Sequence, residues 1–234
     1  DFSFHPRDAT NLRDSTIFRR NSACGRLIRL FEASSRATLD ASQLSPYNCI
    51  TMAHETANIA VLRLVQPSIE YEASYRSFLA EFQQRQEKLI PFPLLFPADD
   101  FRALIKRLRD AQTGLGVPQG FVAHSTFWLI NENCSMLGMS NLRHELTPQL
   151  AREGGHIGYS IRPSQRKRGY GKELLRLTLE QALLRGIKRI LITCAKTNTG
   201  SVGVILANGG CFDSEEYISK RGEIVQRYWI VLGA

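Results

Sequence analysis

The 234-residue chain predicts an α+β (α/β) domain in which a mixed, largely antiparallel sheet is flanked by helices. Three observations carry that prediction. Residues 154–171 read as a strand that breaks at Pro163, crosses a basic glycine loop (Arg166-Lys167-Arg168-Gly169) and opens directly into a helix at Tyr170. Ser125 to Ile130, a polar Asn131-Glu132-Asn133 turn and Cys134 to Leu142 read as an antiparallel hairpin. The tail Arg227-Tyr228-Trp229-Ile230-Val231 is aromatic and β-branched, the composition of a further strand.

Taken in order, residues 1–58 contain no lysine, are scattered with Arg, Ser, Ala and Thr, and show little periodicity. They are expected to be a poorly ordered or non-native extension, with the domain over 59–234. Ile59 to Val65 reads as a first strand. Ser68 is placed to cap a helix that carries Tyr71, Tyr75, Phe78, Leu79 and Phe82 on one side. The prolines of Pro91-Phe92-Pro93-Leu94-Leu95-Phe96-Pro97 predict an extended linker, with Phe92, Leu95 and Phe96 buried against the sheet or lining a pocket. Asp99 or Asp100 then caps a helix through Leu104, Ile105 and Leu108. After the hairpin, Leu174, Leu175, Thr178, Leu179, Ala182 and Leu183 recur at helical spacing, Gly186 stops the helix, and Ile187 to Cys194 is a buried strand.

The loop at 166–171 carries the chemistry. A helix N-terminus leaves backbone N–H groups unpaired and carries a partial positive charge, so a basic glycine loop at that point suits a phosphorylated ligand. The motif is not a Walker A loop, because Gly171-Lys172 is followed by Glu173 and the earlier glycine is missing. Nor is it a dinucleotide fingerprint, since the third glycine position holds Leu174. Arg166-x-x-Gly169-x-Gly171 does fit Q/R-x-x-G-x-G/A, and here the chain resembles the GNAT N-acetyltransferase superfamily. The resemblance runs from about Ile59 to Val231 and is most specific over Gly154 to Gly210. With Leu142-Arg143-His144-Glu145 and the Arg227-Tyr228-Trp229-Ile230 ending, it looks like a bacterial subgroup of predicted acetyltransferases.

That resemblance implies a twisted central sheet with acyl-CoA in a splay between two central strands. It implies an enzyme that moves an acetyl group from acetyl-CoA to a primary amine by direct attack. Arg166, Lys167, Arg168, Gly169, Tyr170 and Gly171 would hold the pyrophosphate, and Asn198 and Ser201 would lie along the pantetheine and adenosine side. For Asn198 a helix N-cap is the plain alternative, and both roles can hold. The amide of Ile161 would polarise the thioester carbonyl. Glu145, His156 and His144 are the candidate bases, because an ammonium has no lone pair and must lose a proton first. One departure stands out: Ile205 occupies the place where many members carry a tyrosine that protonates the leaving thiolate. Tyr159, Tyr217 and Tyr228 are candidate substitutes. Ile205 also motivates an alternative, a non-catalytic acyl-CoA-binding or regulatory module on the same fold.

Composition sets the remaining bounds. Hydrophobic content of 43% and charged content of 22% are those of a soluble globule, and no apolar run is long enough to span a membrane. The net charge of +8 favours anionic partners, and much of it sits on Arg162, Arg166, Lys167, Arg168 and Lys172. No interleaved aromatic and basic pattern points to RNA, so nucleic acid is a minor hypothesis. Five cysteines without C-x-x-C or zinc spacing argue for reduced thiols in a cytoplasm and no metal, with Cys194 and Cys211 packing as small apolar residues. A small-molecule or peptide amine remains the expected acceptor, and a homodimer remains open.

Overall fold

A computed structural model of the chain describes residues 61–233. The extension expected over 1–58 lies outside them, as do Ile59 and Ala60 of the expected first strand and the cysteines Cys24 and Cys49. In chain order the elements are β1 (Arg63–Val65), α1 (Glu72–Gln84), α2 (Phe101–Asp110), β2 (His124–Ile130), β3 (Met136–Arg143), α3 (Pro148–Glu153), β4 (Ile157–Ile161), α4 (Tyr170–Leu184), β5 (Arg189–Ala195), α5 (Thr199–Ala207), β6 (Cys211–Ile218) and β7 (Glu223–Val231).

The strands form two antiparallel sheets, ordered β1-β2-β3-β4 and β5-β7-β6. Side chains alternate across the first sheet. Trp128, Ile130 and Met139 turn to a face covered by Tyr75, Phe78, Phe82, Leu104 and Leu108 of α1 and α2. Phe127 and Leu142 turn to the other face, against Leu175, Leu179 and Ala182 of α4 and Ile205 of α5. Trp128 is fully buried, with the rings of Tyr75 and Phe101 stacked around it at centroid distances of 5.3 and 6.3 Å.

Several local expectations change. Ser68 makes no side-chain cap, and the chain enters α1 through a 3₁₀ turn at Ile69–Tyr71. Asp100 does cap α2, its Oδ1 accepting the Ala103 N–H at 3.0 Å. The Pro91 to Pro97 segment is not simply extended. It contains a 3₁₀ turn, Phe92–Leu95, because Pro93 falls in the first turn, where a missing N–H leaves no carbonyl unpaired. Leu95 of that turn is exposed, while Phe92 is half-buried against the ring of His124 at 4.8 Å. The second hairpin strand starts at Met136 because Cys134 takes a left-handed conformation (φ +56°) in the turn. Cys211 is exposed at the edge of β6 rather than packed, whereas Cys194 is buried.

The two sheets meet at one point. The His156 N–H donates to Leu191 O at 2.7 Å, and the Leu191 N–H donates to His156 Nδ1 at 2.9 Å. Beyond that pair of bonds no ladder joins β4 to β5. Gly155 makes the contact sterically feasible: its φ is +63°, and a Cβ there would stand 2.6 Å from Leu191 O.

Candidate active site

The open strand edge follows from hydrogen-bond parity. Arg143 N–H bonds His156 O and Arg162 N–H bonds Leu137 O, so the even-numbered residues of β4 turn their backbone groups toward β3. Tyr159 and Ile161 therefore turn theirs toward β5, with which no ladder forms. The result is a splay whose closed end is the His156–Leu191 contact and whose wall offers backbone N–H donors.

At the other end of β4 lies the basic loop. Lys167 and Gly169 both have positive φ (+61° and +84°), which points successive amides into one concavity, an arrangement that binds anions. For lysine that conformation is uncommon and mildly strained. Gly169 ends in the N-cap position of α4 with no side-chain cap, so the first amides of this 15-residue helix face outward. Gly171 lets α5 come close, since a Cβ there would stand 3.1 Å from Val204 Cγ2.

Of the five clustered cations, two are neutralised internally. Arg166 turns away from the concavity, with both Nη atoms on the Glu87 carboxylate, its guanidinium 5.6 Å from the Phe82 ring centroid, and its Nε on Ile161 O. Arg162 lies under the loop, bonded to Met136 O, Ser74 O, Ser77 and the Glu81 carboxylate. Lys167, Arg168 and Lys172 are exposed and form no ion pair among the described residues. The exposed charge at the loop, unpaired among the described residues, is thus that of Lys167, Arg168 and Lys172.

Glu81 buttresses this loop from α1. Its carboxylate takes the Arg162 guanidinium at 3.0 Å, the Ser164 N–H at 3.0 Å and the Ser164 hydroxyl at 3.1 Å. Burial alone would raise its pKa, but the Ser164 bonds and Arg162 outweigh it and the net shift is downward. The side chains of Arg162 and Glu81 are only 13% and 23% exposed, so this pair is worth more than a surface bridge. Glu81→Ala is expected to lower stability by about 2 kcal/mol in urea unfolding. A carboxyl with a depressed folded pKa stabilises above its unfolded value, about 4.3, and the contribution is lost as pH falls through the folded pKa. The gap between wild type and Glu81→Ala should therefore close in acid; a gap unchanged down to about pH 2 would assign the effect to packing instead.

On the opposite wall, Asn198 caps α5, its Oδ1 accepting the Ser201 N–H at 3.0 Å. The Tyr159 hydroxyl donates to Ser201 O at 3.5 Å, and burial pushes its pKa up to about 12. The other two tyrosines are elsewhere engaged: Tyr217 is exposed on β6, and Tyr228 donates to Gln226 Oε1 at 2.7 Å. Ile205 is fully buried in the core between α5 and the sheets.

The three candidate bases do not converge. His156 is the junction itself; its Nδ1 lone pair is taken by Leu191, and burial, then the charge of Arg143, pulls its pKa to about 4. The ring is neutral with Nε2 protonated, which leaves no lone pair for a substrate proton. His144 places Nε2 2.9 Å from Ser125 Oγ, with its pKa lowered by burial and by Arg185. β3 ends at Arg143, so His144 and Glu145 lie in the bend beyond it rather than alternating along a strand. Glu145 is exposed, and among the described residues Arg143 pairs with no carboxylate. The residues with no local sequence signal are Glu81, Ser164 and His124. His124 bonds Asn141 through Nδ1 at 2.8 Å beneath Phe92. Among the described residues no group of three or more His, Cys, Asp or Glu is placed to hold a metal ion, and no helix is long and apolar enough to cross a membrane.

Solved structures share this architecture. RimL, a ribosomal L7/L12 alpha-N-protein acetyltransferase in complex with coenzyme A, aligns at 17% identity over 73% of this chain and 93% of its own, with a TM-score of 0.54. RimJ of Mycobacterium smegmatis, in complex with a CoA disulfide, aligns at 15% identity over 74% and 82%, with a TM-score of 0.55. The ribosomal-protein-S5-alanine acetyltransferase of Vibrio fischeri aligns at 14% identity over 74% and 97%, with a TM-score of 0.51. At such identities the likeness is one of fold. No curated protein matches the sequence. The family model for an acetyltransferase (GNAT) domain matches residues 60–210, most of the chain. With the splayed β4 and β5, the basic glycine loop and the uncapped α4 already in place, the chain belongs to the GNAT acetyltransferases.

Proposed function

We propose that this chain transfers the acetyl group of acetyl-CoA to a primary amine by direct attack within the β4–β5 splay. The observation that carries the reading is the positive-φ loop at Lys167–Gly169 beyond the end of a strand, β4, whose Tyr159 and Ile161 amides turn toward β5 without a ladder. Lys167 and Arg168, with the amides of Gly169, Tyr170 and Gly171, hold the pyrophosphate. Asn198 and Ser201 line the pantetheine arm from α5. The Ile161 N–H donates to the thioester oxygen, where negative charge develops as the amine attacks.

The proton balance follows from the side chains left open. The amine nitrogen bonds to the thioester carbon, the C–S bond breaks, and the amine proton leaves through solvent to Glu145, whose carboxylate has no partner among the described residues. The departing thiolate is stabilised by the Tyr159 hydroxyl, the phenol beside Ser201. A raised pKa keeps that phenol protonated, and a thiol of pKa about 8.5 needs no stronger acid.

Calorimetric titration with acetyl-CoA, followed by thiol release across a panel of amines, tests the reading. Wild type should bind, and release CoA only when amine is present. Tyr159→Phe should bind equally well and turn over about 10²-fold more slowly, the usual scale of one lost donor to a charge that develops in the transition state. Binding without amine-dependent release would make the chain an acyl-CoA-binding module.

A further inference from the structure

Arg166 stands at the first position of the glycine motif, yet its side chain turns back to the strand that the chain has just left. A 3₁₀ turn at Pro163–Gln165, closed by the Gln165 N–H on Arg162 O at 2.8 Å, reverses the backbone between them. Arg166 Nε then donates to Ile161 O at 3.2 Å. The two Nη atoms each take one oxygen of the Glu87 carboxylate, just past α1. The guanidinium also lies 5.6 Å from the ring centroid of Phe82, a core residue. A planar fork with all three nitrogens engaged has little freedom left.

Ile161 is where this matters, because it is the last residue of β4 and its N–H and C=O both turn toward β5 without a ladder. A carbonyl left unpaired at that edge is costly. Its lone pairs would also oppose any oxygen that accepted from the neighbouring N–H. Arg166 satisfies the carbonyl and leaves the N–H to a ligand. The next N–H, that of Arg162, donates to Leu137 O at 2.7 Å, so the peptide between 161 and 162 is held at both ends. β4 is thereby kept from rolling about its own axis at the residue whose amide points into the splay.

We propose that Arg166 is a positioning residue for the acetyl transfer rather than a phosphate ligand. Tethered by Glu87, it clamps the Ile161 carbonyl and so aims the Ile161 N–H at the thioester oxygen. This rests on the transferase reading and gives the motif's first arginine a part in the chemical step. Paired with Glu87, the guanidinium is neutral as a unit and offers an anion little. The exposed Lys167, Arg168 and Lys172 are the cations left to the phosphates.

Two quantities separate positioning from binding. One is the dissociation constant of acetyl-CoA by titration. The other is the carbonyl stretch of bound acetyl-CoA, isotope-labelled at the thioester carbon and read from infrared difference spectra. A hydrogen bond from Ile161 lowers that stretch, so wild type should show a band below that of free acetyl-CoA. Arg166→Met keeps the length but no donor. It should bind acetyl-CoA within about twofold of wild type, return the band toward the free position, and slow thiol release to an accepted amine by about tenfold to 10²-fold. Glu87→Ala leaves Arg166 in place but untethered, and should move the band the same way with binding again unchanged. Arg166→Lys, a point charge without the fork, should fall between Arg166→Met and wild type. Binding weakened about tenfold or more in Arg166→Met would make Arg166 a phosphate ligand or a prop of the loop, and would overturn the proposal. An unmoved band in both Arg166→Met and Glu87→Ala, or a wild-type band already at the free position, would overturn it too while leaving the cofactor site standing. Wild type that binds no acetyl-CoA would instead remove the transferase reading, and this proposal with it.

Discussion

Gly155→Ala is expected to destabilise the domain by about 2–5 kcal/mol, a large share of an ordinary folding free energy. Two separate costs combine. A non-glycine residue held in the left-handed region at φ +63° costs roughly 1–2 kcal/mol. The new methyl would also stand 2.6 Å from Leu191 O and 3.2 Å from the Ile192 Cα, which are backbone atoms of β5 and cannot rotate aside. Forcing β5 back adds the 1–3 kcal/mol typical of overpacking and strains the two bonds between His156 and Leu191. Gly116→Ala is the matched control, because Gly116 has a similar φ of +71° and nothing within 4 Å of its Cβ. Urea unfolding of both variants separates the terms. A Gly155→Ala loss no larger than that of Gly116→Ala would mean that the sheets are not held together at this point.

That junction also marks where sequence reading stops. α4 was legible because its apolar spacing, the glycine loop before it and Gly186 after it are all local signals, and the Asp100 and Asn198 caps were legible for the same reason. His156 had a local context too, between two glycines at a strand start, but its role depends on Leu191, 35 residues away. An imidazole near a strand start reads as a base until its Nδ1 is seen to be occupied. Glu81 supports Ser164 across 83 residues, and nothing in the pattern of an amphipathic helix distinguishes one surface glutamate from another. α3 went unread because six residues between two strands carry too little periodicity, and none of its side chains is fully buried. Arg143 was visible only as part of the Leu142-Arg143-His144-Glu145 element. Its actual bonds run to the carbonyls of Gly154 and Gly155.

Gly169→Asp should weaken acetyl-CoA binding by about 10²-fold or more, equivalent to roughly 2.7 kcal/mol, while leaving the fold largely intact. The Cβ position at Gly169 is open, with nothing within 4 Å, so the cost to folding is confined to φ +84°. Asp tolerates that conformation better than Ala does. Gly169→Ala is therefore the more strained protein but the uncharged one, and it should lose only about tenfold. The ordering separates the two roles of the glycine. If Asp is worse than Ala despite its easier backbone, the added carboxylate is opposing phosphates held by Lys167, Arg168 and the α4 amides, and the gap should narrow in high salt as the charges are screened. If Ala is the worse, the backbone conformation rather than the field of the loop governs affinity. Two variants that both bind like wild type would place the phosphates away from the α4 N-terminus, and with them the reaction path assigned to the splay.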